Sequence, residues 1–223
     1  MNNKHLFLFG GSPPFSKKLG GKFAAYAMKN QGKVVVLYLK SFSWKLHKMR
    51  YTKILKQNGL VHFVYISLIN TPLKNIIEML ESCTGIIICG GKTELYRNYI
   101  VETEVGEKLM ELYQNGIPIA GFSAGALICP TYCIIPPKDT AKKEHLFLKG
   151  LGLLKNCVVT VHFSKWHEAS NLQTAISKLK APIGFGIDDG AGVYFENDTL
   201  SETEGVVYYM EEGYNSIKRY KER

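Results

Sequence analysis

Residues 116–126 read Gly-Ile-Pro-Ile-Ala-Gly-Phe-Ser-Ala-Gly-Ala, a short apolar stretch that runs directly into Gly121-Phe122-Ser123-Ala124-Gly125. This is the G-x-S-x-G pattern of a nucleophile elbow, in which a strand ends, the chain reverses over a serine and a helix begins. The residue types follow from the geometry. A serine at the tip of so sharp a turn is driven toward φ > 0, and the flanking Cβ atoms collide unless they are absent or small. The turn also sets the hydroxyl at the N-terminus of the next helix, where free N–H groups can stabilise an oxyanion. A bland alternative is a glycine-rich turn packed tightly on a sheet, but the strand before and the helix after are both in place.

Outward from the elbow, short apolar runs alternate with amphipathic stretches. HLFLF (5–9), KVVVLYL (33–39), VHFVYIS (61–67), GIIIC (85–89), CVVTVHF (157–163) and PIGFGI (182–187) read with GIPIAGF as nearly continuous, Val- and Ile-rich strands. Helical patterns fall between them at 17–30, 44–58, 72–82, 94–115 with a break, and 164–179. The alternation predicts an α/β fold of three layers, a mostly parallel central sheet with helices on both faces, in which ligands bind outside the carboxyl ends of the strands. After Asp188 the pattern turns to GAGVYFE, TLSET and GVVYYM, expected as antiparallel strands at one edge. The 223 residues form one expected domain, 1–223, with 46% apolar and 21% charged residues.

The net charge of +9 is unevenly distributed. Residues 1–77 hold 13 Lys and Arg and no acid, which leaves 28 − 13 = 15 basic against 19 acidic groups in the remainder. Only Arg50, Arg97, Arg219 and Arg223 are arginines, and bidentate phosphate and base contacts favour arginine. No nucleic-acid motif accompanies the lysines, so a solvated basic surface is expected and nucleic-acid binding is not. The apolar runs are too short for a membrane span or a signal-peptide core, and five cysteines without C-x-x-C spacing give no disulfide framework or zinc site. A cytoplasmic protein is expected.

A serine needs a base, and six histidines are available. His5 and His62 begin strands, His47 lies in a basic helix, His145 in the polar AKKEH segment and His167 on a helix. His162 alone falls at the carboxyl end of a strand, CVVTV, on the edge expected to present Ser123. His162 and His167 lack a third metal ligand with sensible spacing, so no metal is expected. The 162 − 123 = 39 residues between Ser123 and His162, with 61 more following, fit an α/β-hydrolase poorly. Class I glutamine amidotransferase activity is excluded, because it needs Cys where Ser123 stands and Glu two residues after the histidine, where Ser164 stands.

Gly90-Gly91-Lys92-Thr93-Glu94-Leu95 after a strand, the 121–126 elbow, His162-Phe163 and Gly186-Ile187-Asp188-Asp189-Gly190 together resemble the peptidase E (aspartyl dipeptidase) and cyanophycinase family of serine peptidases. The resemblance implies a class I glutamine-amidotransferase-like fold, Ser123 as nucleophile and His162 as base. It further implies an oxyanion hole from the N–H groups of Gly91 and Ala124, with Gly90 alongside. It places an acid between serine and histidine, where only Asp139 and Glu144 occur; Asp139, 16 residues after Ser123, is preferred. Members that cleave after an N-terminal aspartate carry an arginine shortly after the histidine, whereas 163–180 offers only Lys165, Lys178 and Lys180, so strict aspartyl specificity is not expected. The expected function is a serine peptidase of small peptides, dipeptidase-like, with no cofactor, a small peptide as partner and a homodimer as a compatible assembly. Alternatives are a cyanophycinase-like or other amide hydrolase in the same fold, or a catalytically silent binding module.

Overall fold

The computed structural model describes residues 2–11, 13–28, 32–39, 44–214 and 216–220. From the N-terminus come β1 (His5–Phe9), α1 (Lys17–Ala27), β2 (Lys33–Tyr38), α2 (Trp44–Gln57), β3 (His62–Ser67), α3 (Leu73–Glu81) and β4 (Gly85–Ile88). Residues 29 and 30 of the expected first helix lie outside the described residues. Then follow α4 (Thr93–Ile100), α5 (Glu104–Gln114), β5 (Ile119–Phe122), α6 (Ala124–Leu127), β6 (Tyr132–Ile135) and β7 (Leu146–Lys149). The last third holds β8 (Cys157–Val161), α7 (Phe163–Trp166), α8 (Ala169–Leu179), β9 (Ile183–Ile187), β10 (Gly192–Glu196), β11 (Thr199–Glu204), β12 (Val207–Glu211) and β13 (Lys218–Arg219).

A seven-stranded sheet, ordered β11-β10-β1-β5-β4-β2-β3, forms the centre of this α/β fold. Its five strands from β1 to β3 in that order are parallel, and β10 and β11 are additions at one edge, β10 antiparallel to β1 and β11 to β10; of the three segments expected there after Asp188, GAGVYFE and TLSET take this place, whereas GVVYYM is β12 and pairs with β9 in another sheet. Val34 to Leu37 and Ile86 to Ile88 are fully buried, which explains why those runs are continuous rather than alternating. β1 and β5 lie side by side with Phe9 opposite Phe122, so the end of β1 abuts the elbow.

One expectation fails. The runs at 157–163 and 182–187 are not part of the central parallel sheet; they form β8 and β9 of a second, four-stranded sheet ordered β13-β12-β9-β8. The reason lies in the side chains. Cys157, Val159 and Val161 of β8 join the main core, while Val158 joins a smaller core with Leu172, Ala175 and Ile176 of α8. β8 is therefore covered on both faces, as a central strand would be, and its sequence reads the same. In β9 the alternation of Gly184 and Gly186 with Phe185 makes room for helices. A Cβ on Gly184 would meet Leu172 of α8 at 2.6 Å, and one on Gly186 would meet Phe163 of α7 at 2.3 Å. The β6–β7 hairpin forms a third, two-stranded sheet. Among the described residues no helix is long and apolar enough to cross a membrane.

Candidate active site

Ser123 occupies the turn between β5 and α6 with φ 49° and ψ −109°, a region that a residue bearing a Cβ enters only under strain. Its N–H donates to the Phe9 carbonyl at 2.9 Å, which ties the elbow to the end of β1. The two glycines of the pattern have no room for side chains. A Cβ on Gly121 would lie 2.5 Å from the Gly125 carbonyl oxygen, and one on Gly125 would lie 2.3 Å from that of Ile88. Gly125→Ala should therefore force α6 away from β4 and destabilise the fold by about 1–3 kcal/mol, read as a lower denaturant midpoint at unchanged m-value. An unshifted midpoint would mean the elbow is more compliant than this packing implies.

His162 follows β8 in the left-handed region, φ 51° and ψ 33°, and its N–H donates to the Gly10 carbonyl at 2.8 Å. The ring is nearly buried and packs against Trp166, with centroids 4.3 Å apart. Its Nε2 lies 2.9 Å from Ser123 Oγ, and its Nδ1 is paired with Asp189 Oδ1. With the ring proton on Nδ1 and donated to the carboxylate, Nε2 is left to accept the serine hydroxyl. Ser123 and His162 thus meet across two different sheets, not along one edge, and the end of β1 is what joins them.

The third position differs from expectation. Asp139 does not hold His162: its Oδ2 accepts the Thr93 hydroxyl and, at 3.4 Å, the Thr93 N–H. Glu144 is exposed on the same loop. The acid on His162 is Asp189, which follows β9, and because β9 runs parallel to β8 both residues emerge at one end of the second sheet. Burial opposes ionisation of Asp189, but the Lys165 ammonium, 3.1 Å from Oδ2, and the His162 ring outweigh it and hold the carboxyl below the usual range. The neighbouring Asp188 accepts from the Ser164 N–H at 2.6 Å and the Ser164 hydroxyl at 2.8 Å, fixing the start of α7. The signal available in the sequence was the pair of adjacent acids closing a buried strand in Gly186-Ile187-Asp188-Asp189-Gly190.

Gly10 and Gly11, also unremarked in the sequence, fit beneath this site. A Cβ on Gly10 would lie 2.2 Å from the Ile187 carbonyl oxygen, and one on Gly11 would lie 2.6 Å from Asp189 Oδ1. On the opposite side, the Gly90 N–H donates to the Tyr51 hydroxyl at 3.0 Å and the Tyr96 hydroxyl donates to the Gly90 carbonyl at 3.2 Å. Both phenols are buried, and burial pushes their ionisation far upward, so they act as neutral struts. They hold Gly90 close enough that a Cβ there would sit 3.4 Å from that of Ser123. Gly91 comes next, and Ala124 is the first residue of α6, whose N–H has no acceptor within its own helix. The arrangement offers a hydroxyl at the start of a helix and, in contact with it, an imidazole whose other nitrogen is held by a carboxylate. Among the described residues no group of three or more His, Cys, Asp or Glu could hold a metal ion.

Comparison with known proteins gives the family. The Peptidase family S51 model matches residues 40–203, a span that includes Ser123, His162 and Asp189. The chain belongs to peptidase family S51. A cyanophycinase from Geminocystis herdmanii (strain PCC 6308) is 25% identical to this S51 member over 136 residues, 59% of the chain and 50% of the relative. An uncharacterised peptidase, YgaJ, from Bacillus subtilis (strain 168) is 29% identical over 143 residues, 62% of the chain and 59% of the relative. The S51 chain thus spans about half the length of the curated relatives it matches. Its fold is that of a peptidase from an acI-B1 actinobacterium, with a TM-score of 0.69 at 16% identity over 97% of each chain. A provisional peptidase E from Listeria monocytogenes EGD-e has a TM-score of 0.68 at 20% identity, over 91% of the S51 chain and 98% of its own.

Proposed function

We propose that the chain is a serine peptidase that hydrolyses small peptides at the elbow. The observation that carries this reading is the unbroken line Ser123 Oγ, His162, Asp189, with the serine held in a strained turn at the start of α6. Ser123 Oγ attacks the scissile carbonyl as His162 Nε2 takes its proton, and the oxyanion is received by the N–H groups of Gly91 and Ala124. His162 then returns the proton to the leaving amine, and water, activated by the same ring, releases the acyl group. Asp189 keeps the Nδ1 tautomer and stabilises the imidazolium in both steps.

Lys165 makes this reading testable through pH. Its ammonium shares the Asp189 carboxylate with His162 and opposes the positive charge that the ring gains during turnover. In Lys165→Met the imidazolium loses a repulsive neighbour and gains a larger share of the carboxylate, so the acid limb of kcat/KM should move to higher pH. The displacement should shrink in high salt, because Lys165 is exposed. A profile of kcat/KM against pH in parent and variant checks this, and superimposable acid limbs would mean that the Lys165 ammonium does not bear on the ring. Since this ammonium already faces Asp189, Lys165 is poorly placed to act as a dedicated receiver for a substrate carboxylate.

A further inference from the structure

The mechanism above uses both nitrogens of His162 and leaves the faces of its ring to other groups. Ser123 Oγ stands at Nε2 and Asp189 at Nδ1, so the polar edges of the imidazole are taken. One face is covered by Trp166, with ring centroids 4.3 Å apart and planes inclined by 34°. The short helix α7 makes this contact. The Trp166 N–H donates to the His162 carbonyl at 2.8 Å, and that single helical turn brings the side chain at i+4 over the side chain at i. Both ends of the turn are pinned: Asp188 holds Ser164 at its start, and Lys138 Nζ, from the loop between β6 and β7, donates to the Trp166 carbonyl at 3.2 Å. Trp166 stays half-exposed, whereas Phe163 on the same turn is buried against Gly186 and Tyr208. Phe163 therefore anchors α7 in the core, and the indole is left to the imidazole.

We propose that Trp166 is a positioning residue for His162: its π face keeps the imidazole aligned with Ser123 and Asp189 and stabilises the positive charge that the ring takes up with the serine proton. The inference rests on the reading of His162 as the base. The terminal torsion of a histidine is broad, and a rotation about it would carry both nitrogens off their partners; an indole lying on one face resists it. The charge argument is independent of this. An aromatic face carries negative density and attracts a cation lying on it, tryptophan most of all. The neutral ring gains little from that face, so the attraction grows as the proton is transferred and favours the transition state over the resting site. It acts where the charged neighbours oppose one another. The Asp189 carboxylate at Nδ1 and the more distant Asp139 carboxylate favour the imidazolium, and the Lys165 ammonium disfavours it.

The test follows the rate at which a fluorophosphonate labels the chain, a reaction that requires the serine and its base but no peptide. Ser123 Oγ bonds to phosphorus, fluoride leaves and His162 takes the serine proton. Trp166→Leu covers the ring without a π face and should slow labelling about tenfold, whereas Trp166→Phe should stay within about threefold of the parent. Trp166→Leu labelled as fast as the parent would reduce Trp166 to packing and overturn the proposal, and Trp166→Phe as slow as Trp166→Leu would overturn it as well. A second readout keeps Trp166 in place. An imidazolium in contact with an indole quenches its fluorescence, and a neutral imidazole does so far less. The chain has two tryptophans, Trp44 and Trp166, so Trp44→Phe leaves Trp166 as the one emitter. Its emission should fall on acidification, and adding His162→Gln should abolish that fall. Emission that does not fall, or a fall that survives His162→Gln, would overturn the contact between indole and charged ring. Labelling that needs Ser123 but ignores Trp166→Leu sinks the role of Trp166 alone. Labelling indifferent to Ser123→Ala sinks the peptidase reading and this inference with it.

Discussion

Ser123→Ala should lose all covalent labelling by a fluorophosphonate and lower kcat by about 10⁴- to 10⁶-fold, the scale on which removal of an activated serine nucleophile is felt. The expectation is sharpened by the backbone, because the serine occupies φ 49°, ψ −109° and the strain of that position persists in alanine. Ser123→Gly is the informative companion. Glycine relieves the strain, worth about 1–3 kcal/mol, and gives back about 0.5–1 kcal/mol in chain entropy, for a net gain of about 1 kcal/mol. That corresponds to a rise of about 2–4 °C in Tm for a chain of this size. An inactive but more stable glycine variant would show that the fold tolerates the elbow for the sake of its hydroxyl. A variant no more stable than the parent would mean that the turn is relaxed, and retained labelling of Ser123→Ala would dismiss Ser123 as nucleophile.

Asp189→Asn should cost about 10⁴-fold in kcat, because asparagine keeps the shape but no longer fixes the imidazole tautomer or balances the imidazolium. The comparison that isolates it is Asp139→Asn, because the Asp139 carboxylate bonds Thr93 and not His162, so a smaller loss is expected there. A large loss in Asp139→Asn with little in Asp189→Asn would restore the chain order read from the sequence. Asp189 also affects acid stability. Its folded carboxyl is held below the ordinary value, so its contribution is present above the unfolded value near 3.9 and disappears as pH falls through the lower folded one. Acid unfolding of Asp189→Asn should accordingly be less steep in that window than that of the parent.

Much of the catalytic centre was legible because it depends on local rules. Small residues on both sides of Ser123 follow from steric conflict within a few residues, and the structure has the positive φ that those residue types demand. Continuous apolar runs such as Val34 to Leu37 report burial on both faces, and they are correctly read as inner strands. The same rule misplaces β8 and β9, since a run states that a strand is covered and not which sheet covers it. The β6–β7 hairpin has no such signature, because Tyr132 to Ile135 runs straight into Pro136-Pro137 and its partner Leu146 to Lys149 is only partly buried. Asp189 was overlooked for a different reason. Its approach to His162 depends on the parallel pairing of β8 with β9, a relation between segments that no periodicity within either one records.

The end of β1 ties these segments together, and this bears on when activity can arise during folding. Phe9 accepts from Ser123, Gly10 accepts from His162 and donates to Ala191 at 3.2 Å, and His5 to Phe9 pair with Gly192 to Glu196. The contacts that align nucleophile, base and acid therefore close loops of well over a hundred residues, the slowest kind to form. A partly synthesised or partly refolded chain carries Ser123 without its partners and stays chemically quiet. Hydrolysis then becomes a report on completion: in a refolding experiment it should appear only with the last spectroscopic phase, when the first strand has met the final third of the chain.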